Sequence, residues 1–298
     1  MTAPSAPGAD ARALELRGIL LYVGALVFFT TMDVIAKWLV ERHDPVMVVW
    51  ARYASQAFWA FLLLAPRLGT IARTSRPGLH AIRALLPFGA TMCFFTALQT
   101  MQVAEAVAIF EVAPLFITIL AFFLLKEKVG PRRWTGVAIG FVGAMIIIRP
   151  GTDVFTPAMV LPLAAAFFYA SYAIATRWLG DEESPWTPFF YTALGGAVCS
   201  SLVVPFYWST PSWQDGLVMA GFGVIGGAGQ MLMILALRSA SASTVAPISY
   251  LGLVFSAIWG LIVFGDFPDG WTVAGAAVVV GAGLYVWWRE RVRAETSR

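Results

Sequence analysis

Charged side chains are scarce in this chain. Only 12% of its 298 residues are Asp, Glu, Lys or Arg, whereas 59% are hydrophobic; a soluble globular domain has about 25% charged residues. So little polar surface cannot solvate a water-soluble particle of this size. The composition therefore excludes a soluble domain and indicates a protein embedded in lipid.

Cysteine and histidine are also rare. Cys93 and Cys199 both fall inside apolar segments, where we expect small core residues rather than a disulfide or a metal pair. His43 and His80 lie near helix ends and have no neighbours at ligand spacing. We therefore expect no metal site and no cofactor.

Ten apolar segments are each long enough to cross a bilayer. A helix needs about 20 residues to cross ~30 Å of hydrocarbon, and continuous apolar runs favour helices over the alternating strands of a membrane barrel. The predicted fold class is an all-α membrane bundle of ten transmembrane helices. The predicted spans are 17–39, 46–65, 81–99, 104–125, 134–149, 157–177, 187–208, 216–237, 243–264 and 271–288.

Basic residues lie in the short gaps between these spans and orient the chain. With the amino terminus in the cytoplasm, sixteen Lys and Arg residues fall on the cytoplasmic side. Three, Lys37, Arg42 and Arg149, then lie near the outside, and Arg52 lies within a span. We predict a bacterial inner-membrane protein with both termini in the cytoplasm. The net charge of +3 is thus an orientation signal, and no nucleic-acid partner is expected.

The chain repeats itself at an interval of about 140 residues. Residues 25–39 align with residues 165–179 at a shift of 140, and later positions align at a shift of 139. Two shifts that differ by one residue indicate one duplication. The matched pairs include Phe28 with Phe168, Trp38 with Trp178, Ile109 with Ile248, and Gly136 with Gly275.

The duplication divides the chain into two halves of five spans, residues 17–149 and 150–288, between cytoplasmic tails at 1–16 and 289–298. Because five is odd, the second half must enter the membrane from the opposite side, as an inverted-topology repeat. Such repeats suit alternating access to a site near the midplane. The alternative interpretation is that duplication simply builds a bundle.

Four ionisable side chains lie inside predicted spans, where a charge is costly and needs a partner or a watery cavity. They are Asp33, Arg52, Glu105 and Glu111. Asp33 and Arg52 lie at similar depth on consecutive antiparallel spans, so an ion pair between them is geometrically reasonable. Lys37 lies one helical turn from Asp33 and can also pair with it.

Glu111 is the candidate centre of a functional site. It lies near the midplane on the same helix face as Ala104 and Ala108, which leave room for a neighbouring helix or a substrate. We expect Glu111 to meet a substrate amine or a proton, while Arg52 either keeps it ionised or binds a substrate carboxylate. The alternative is that Asp33, Arg52 and Glu111 form one buried network that only holds helices together.

Aromatic and amide side chains complete this candidate site. Aromatic faces bind cations and stack on rings, and Phe110, Tyr172 and Tyr250 lie in mid-span beside small or polar neighbours. Gln230 offers both donors and acceptors. It follows a glycine-rich run at 226–229 that lacks the Lys and Ser/Thr of a phosphate-binding loop. Without a nucleotide-binding module, a gradient or the substrate concentration must supply the energy.

Short motifs recur in a fixed order through this ten-span frame. In the first half they are MDVIAK at 32–37, WARY at 50–53, Pro114, LKE at 125–127 and WTG at 134–136. The second half has a fainter set, Ala246-Pro247, Gly265-Asp266, Trp271 and Gly275. Over nearly the whole chain, this order resembles the drug/metabolite transporter superfamily, specifically its EamA group.

The resemblance implies a bundle of two inverted five-helix halves around a central cavity. Members of the family include exporters of amino acids and uptake systems for S-adenosylmethionine or riboflavin. We therefore expect a proton-linked or gradient-driven exporter of an amino acid, an aromatic or a drug-like compound; the alternative is uptake of a vitamin or cofactor such as riboflavin or S-adenosylmethionine. Asp33 aligns with Ala173 and Arg52 with Thr192, so the charged groups are concentrated in the first half.

An intramembrane enzyme that acts on lipid is the alternative of another class. No histidine lies in mid-span, and Asp33 is the only aspartate that does, so the residue pairs of a membrane protease are missing. We therefore predict a transporter of a small molecule rather than an enzyme. A duplicated ten-span chain can enclose a path by itself, so we expect a functional monomer in the lipid bilayer.

Overall fold

A computed structural model describes residues 7–71, 73–74, 77–126, 129–153, 155–179, 184–240 and 242–296. These residues contain helices and no strand. Nine helical segments in the described part of the chain are long and apolar enough to cross a membrane, and the shorter apolar helix Arg133–Ile148 makes a tenth. The prediction of an all-α, multi-pass membrane protein is confirmed.

Seven helices form the first half of the chain. They are α1 (Pro7–Val40), α2 (Pro45–Leu64), α3 (Leu68–Ile71), α4 (Pro77–Leu98), α5 (Val103–Phe110), α6 (Ala113–Leu124) and α7 (Pro131–Ile148). Local sequence explains where they begin. Asp44 caps α2, because its carboxylate accepts a hydrogen bond from Val46 N at 2.8 Å.

Six helices form the second half. They are α8 (Leu161–Leu179), α9 (Trp186–Val203), α10 (Trp213–Ser239), α11 (Ala242–Ser249), α12 (Leu251–Phe264) and α13 (Gly270–Thr296). Ser212 caps α10, since its hydroxyl accepts a hydrogen bond from Asp215 N at 3.1 Å. Arg76, Lys128 and Arg298, three of the basic residues that orient the chain, and Glu127 of the LKE motif lie outside the described residues.

The fourth predicted span is two helices rather than one. α5 ends at Phe110 and α6 begins at Ala113, so Glu111 and Val112 lie at the junction. Pro114 stands in the first turn of α6, where a missing N–H does no harm because that turn has no intrahelical acceptor for it. The prediction of a continuous helix over 104–125 is therefore wrong at Glu111.

The ninth predicted span is broken in the same way. α11 ends at Ser249 and α12 begins at Leu251, which leaves Tyr250 at the junction. Pro247 lies inside α11, and a proline in a helix removes a hydrogen bond and clashes with the preceding turn. The prediction of a continuous helix over 243–264 is therefore also wrong.

The α2 and α10 backbones touch. A Cβ atom on Gly223 of α10 would lie 2.0 Å from the backbone N of Gln56, and Gly223 N donates to Ser55 Oγ at 2.8 Å. On α1, the side chain of Met32 packs against Gly226, and that of Phe29 against Gly229. Helix α10 therefore packs closely against both α1 and α2, so the depth of each polar side chain on these helices is fixed.

Gly223→Ala tests the backbone contact between α2 and α10. The added methyl group would meet backbone rather than a movable side chain, so we expect a loss of about 1–3 kcal/mol of stability and a melting temperature lower by several degrees. The measurement is thermal unfolding of the purified protein in detergent, followed by tryptophan fluorescence.

The matched control is Gly221→Ala on the same helix. A Cβ atom there has no neighbour within 4 Å, and alanine favours a helix by about 1 kcal/mol over glycine. Gly221→Ala should therefore melt at the wild-type temperature or slightly above it. Equal melting temperatures for the two variants would contradict the contact.

Candidate functional site

The carboxylate of Glu111 lies within electrostatic range of three tyrosines at the break in the fourth span. Its charge acts on the side chains of Tyr22 of α1, Tyr169 of α8 and Tyr250. A Cβ atom on Gly252 would lie 4.0 Å from Glu111 Oε1, so α12 also borders the carboxylate. In the part of the chain that the structure describes, no Lys, Arg or His forms an ion pair with it. An unpaired acid among aromatic rings suits a cationic solute or a proton.

Glu111 and Tyr250 occupy matching positions in the two halves. They lie 139 residues apart, the interval that also relates Ile109 to Ile248. Each stands at the break of its own span, and the two side chains interact electrostatically. The repeat in the sequence contains this correspondence, but only the breaks show that both positions lie at the ends of short helices.

Phe110 forms part of the aromatic wall beside Glu111. Its ring packs edge-on against Phe94 of α4 with centroids 5.6 Å apart, and it lies 5.6 Å from the ring of Tyr169. Tyr169 itself is half-buried. The predicted residues Glu111, Phe110 and Tyr250 therefore lie in one cluster, which we call the tyrosine cluster and which also contains Tyr22 and Tyr169.

A glycine on α13 sets the position of Tyr250. A Cβ atom on Gly283 would lie 1.6 Å from Tyr250 Oη. The hydroxyl group of Tyr250 therefore lies against the backbone of α13, where a larger residue would displace it. This contact holds the ring of Tyr250 beside Glu111.

Arg52 belongs to a second polar cluster, between α1, α2, α4 and α10. Its Nη1 atom donates to the hydroxyl of Thr91 on α4, which also lies 3.0 Å from Tyr53 Oη. The guanidinium lies 4.9 Å from the centroid of the Tyr53 ring and 5.8 Å from that of Phe95. Its Nε atom is buried and has no hydrogen-bond partner.

The ion pair suggested between Asp33 and Arg52 is not formed. Their charges interact, but no described carboxylate lies within 4 Å of the Arg52 guanidinium, because Thr91 and the Tyr53 ring hold it. Lys37 does not pair with Asp33 either. It pairs with Glu41 at 3.3 Å and donates to the carbonyl of Leu98 at 3.2 Å.

Gln230 joins this second cluster through a residue that the sequence reasoning missed. Gln56 Nε2 donates to Gln230 Oε1 at 2.8 Å. Gln56 lies one helical turn after Arg52 on α2 and is only 2% exposed. A polar residue one turn from an intramembrane arginine is a signal that the sequence did contain. We call Asp33, Arg52, Gln56, Thr91 and Gln230 the amide cluster.

Tyr172 lies at the edge of the tyrosine cluster, where its ring packs against that of Tyr169 with centroids 6.2 Å apart. Its hydroxyl accepts a hydrogen bond of 2.7 Å from Arg83 Nη2, and Arg83 Nε donates to Thr176 Oγ1 at 2.9 Å. Arg83 Nη1 also lies 3.5 Å from the carbonyl oxygen of Pro188. Arg83 is 2% exposed and has no acidic partner among the described residues. The substrate contact expected of Tyr172 stays a prediction, and in this structure its hydroxyl binds a buried arginine.

A groove of about 410 Å³ lies between α1 and α10 at the opposite end of α1 from Asp33. Its lining is almost entirely apolar and includes Arg17 and none of the candidate residues.

A multi-pass helical bundle with charged and aromatic side chains between its helices is the architecture of a membrane transporter. The chain belongs to the EamA-like transporter family, whose model matches residues 16–149 and 156–288. The resemblance to this family is confirmed. Membership supports a transporter rather than an enzyme.

Several curated relatives span almost the whole chain. An S-adenosylmethionine uptake transporter of Rickettsia prowazekii is 32% identical over 95% of this chain and 96% of its own length. A riboflavin transporter of Vibrio cholerae is 32% identical over 95% of this chain and 97% of its own. A pseudopaline exporter of Pseudomonas aeruginosa is 27% identical over 89% of this chain and 94% of its own.

A crystal structure of another protein has the same fold. It is 20% identical to this chain, with a TM-score of 0.61, and the match covers 95% of this chain and 98% of the other. At this identity the likeness concerns the fold alone.

Glu111→Gln should raise the thermal stability of the ligand-free protein. The change removes an unpaired charge from the interior of the membrane region, where such charges are costly, so we expect a melting temperature higher by a few degrees at pH 8. The measurement is thermal unfolding in detergent.

Glu105→Gln is the control, because the Glu105 carboxylate has the cation of Arg149 nearby. Arg149 offsets part of the cost of burying the Glu105 charge, so neutralisation of Glu105 should bring a smaller gain in melting temperature than neutralisation of Glu111. A Glu111→Gln variant that melts below the wild type would show that the Glu111 carboxylate stabilises the fold.

Proposed function

We propose that this protein is a secondary carrier for an organic cation of the cofactor type, with S-adenosylmethionine as the representative substrate. The single observation that carries the proposal is the carboxylate of Glu111, which has no cationic partner in the described structure and lies within electrostatic range of Tyr22, Tyr169 and Tyr250. A sulfonium or ammonium centre supplies the missing charge.

The tyrosine cluster suits a large, soft cation better than a small one. A cation over an aromatic face gains about 0.5–2 kcal/mol, the higher value in a desolvated site. Neutral solutes leave the Glu111 charge uncompensated, whereas a sulfonium both neutralises the carboxylate and contacts the rings. Selectivity for cations therefore follows from the one acid and the rings around it.

The relatives favour cofactor uptake over the export of an amino acid. Proteins named for S-adenosylmethionine uptake and for riboflavin transport match this chain at 32% identity over nearly its full length. These names support uptake of a vitamin or cofactor, the alternative drawn from the sequence, better than export of an amino acid, which was the main expectation. We propose import as the direction, although one relative named as an exporter shares the same architecture.

Arg52 is proposed to bind a substrate carboxylate. The edge of its guanidinium that carries Nε has no partner in the described structure, and such an edge binds carboxylates in a bidentate manner. Asp33 is half-buried and interacts with the Arg52 charge. A substrate with both a cationic centre and a carboxylate would then use Glu111 and Arg52 together.

We further propose that the two halves are inverted repeats that alternate in exposing this site. Glu111 and Tyr250, at the matching breaks, would lie on the two sides of the path. The proposal includes residues 17–149 and 150–288 as the halves, the cytoplasmic tails 1–16 and 289–298, a bacterial inner membrane, a functional monomer, and a proton or substrate gradient as the driving force.

Binding of S-adenosylmethionine to the purified protein tests the proposal. We expect this compound to raise the melting temperature of the wild type and of Glu105→Gln, and to leave that of Glu111→Gln unchanged. The reason is that the sulfonium loses its counter-charge only in Glu111→Gln. The same series with S-methylmethionine, a sulfonium without a base, isolates the contribution of the charge. Equal shifts in all three proteins would refute a role for Glu111 in the site.

The contact between Tyr250 and Gly283 gives a second test. In Gly283→Ala the new methyl group displaces the Tyr250 hydroxyl, so affinity for S-adenosylmethionine should fall about tenfold, which corresponds to ~1.4 kcal/mol. Gly281→Ala, two residues away on α13 with no neighbour within 4 Å of the added Cβ atom, should bind as the wild type does. Titration calorimetry measures both, and equal affinities would remove Tyr250 from the site.

A further inference from the structure

Gln56 and Gln230 form a pair of amides between α2 and α10, well inside the membrane part of the protein. Their single hydrogen bond, 2.8 Å from Gln56 Nε2 to Gln230 Oε1, uses one donor and one acceptor. The Oε1 atom of Gln56 is buried and has no partner. The hydrogen bonds of the described residues also leave the amino group of Gln230 available.

The surplus of one carbonyl and one amino group does not depend on which way either amide is turned. Each glutamine side chain has one carbonyl oxygen and one amino group. A single hydrogen bond between two such amides always uses the amino group of one and the oxygen of the other. The pair therefore always presents one unused acceptor beside one unused donor.

A buried acceptor without a partner is costly. It forfeits about 1–3 kcal/mol relative to a satisfied one, and Gln56 is 2% exposed, so bulk water does not reach it. Arg52 Nε, on the adjacent turn of α2, is likewise buried without a partner. Two unpaired buried polar atoms on neighbouring turns of one helix indicate a binding site for a polar ligand rather than a core in which every polar group has its partner.

The unused acceptor and donor together match one kind of molecular edge. A 6-aminopurine such as adenine presents an amino group next to a ring nitrogen, and amide side chains bind this edge through one oxygen and one amino group. The Cζ tip of the buried Phe189 ring lies 3.4 Å from the Cβ position of Gly227, beside the side chain of Gln56, so the amide pair has an apolar neighbour. The Gln56 side chain has three rotatable bonds, so it can turn to expose its oxygen without helix movement.

The amide pair lies within reach of the tyrosine cluster. On α1, Leu26 is near Glu111, because a Cβ atom on Gly252 would meet both side chains. Three residues further along α1, Phe29 packs on Gly229, the neighbour of Gln230. Three residues of helix rise about 4.5 Å. The two places are therefore separated by about one helical turn in depth along α1.

We infer that Gln56 and Gln230 form a base-recognition subsite that selects a 6-aminopurine by its amino group and adjacent ring nitrogen. The inference rests on the proposed function, since it assigns the base of a cationic nucleoside-like substrate to the amide pair and its cationic centre to Glu111. A site built to hydrogen-bond an N–H group rejects an analogue without it, because the buried acceptor then stays unpaired.

Three uncharged nucleosides test the subsite in the full-length wild-type protein. Adenosine has the 6-amino donor, purine riboside has no group there, and inosine has an oxygen that would face the Gln56 oxygen. We expect adenosine to bind about tenfold more tightly than inosine, with purine riboside in between. Titration calorimetry in detergent gives the three dissociation constants. The same titrations in Glu111→Gln remove the carboxylate charge that disfavours neutral solutes. No binding of adenosine to either protein, or equal affinity for adenosine and inosine, overturns the inference.

Two variants assign the selectivity to the amide pair. Gln56→Met removes the acceptor, so the dissociation constants of adenosine and inosine should come within about twofold of each other. Gln56→Glu keeps an acceptor oxygen, so adenosine should still bind more tightly than inosine. The matched control is Gln99→Met at the exposed turn after α4, which should show wild-type selectivity. If Gln56→Met does not fold, Gln230→Met on α10 serves instead. Retained selectivity in the Met variant of the pair overturns the assignment.

Glu111→Gln separates this inference from the proposed function. The uncharged nucleosides do not need the Glu111 carboxylate, so their selectivity should survive in Glu111→Gln while S-methylmethionine binding is lost. If S-methylmethionine binds equally to wild type and variant, the proposed cation site fails. If adenosine and inosine bind equally to the wild type, the base subsite fails instead.

Discussion

Polar groups inside the membrane part of this protein must find their partners in the protein itself, because hydrocarbon offers none. Most described ones do so locally. The hydroxyl of Thr30 donates to the carbonyl of Leu26 at 2.9 Å, and that of Ser200 to the carbonyl of Gly196 at 2.7 Å. This constraint makes the exceptions informative. An acid without a counter-ion, or an amide oxygen without a donor, marks a place where a bound solute or a proton can supply the missing partner.

The sequence predicted the membrane class, the ten spans and the family, because these depend on composition, length and motif order. It missed the breaks at Glu111 and Tyr250, since an apolar run shows no interruption where two short helices meet. The suggested pairing of Asp33 with Arg52 rested on helix rise, which gives the depth of a residue but not its direction around the helix axis. Direction depends on packing, and the close contact between α2 and α10 turns Arg52 towards Thr91.

The aromatic residues show a second limit of the sequence. Aromatic side chains make up 14% of the chain, so sequence position alone separates them poorly, and Tyr22 became visible only when α1 was placed around the broken fourth span. Sequence neighbours favoured Tyr172 over Tyr169, which lies one turn earlier on α8. Tyr172 differs because it lies one turn closer to Arg83, whose guanidinium takes its hydroxyl as an acceptor.

Arg83 lies on α4 in the first half, whereas its acceptors, on Tyr172, Thr176 and Pro188, belong to α8 and α9 in the second. These contacts therefore join the two halves of the chain, which would move relative to each other under the alternating access proposed above. Every acceptor of Arg83 is uncharged, so separation would leave no buried carboxylate without its counter-ion. Water that enters the gap could then replace each lost hydrogen bond. The energetic barrier to switching at this point would then be that of wetting one guanidinium, and the switching rate would depend on how readily water reaches it.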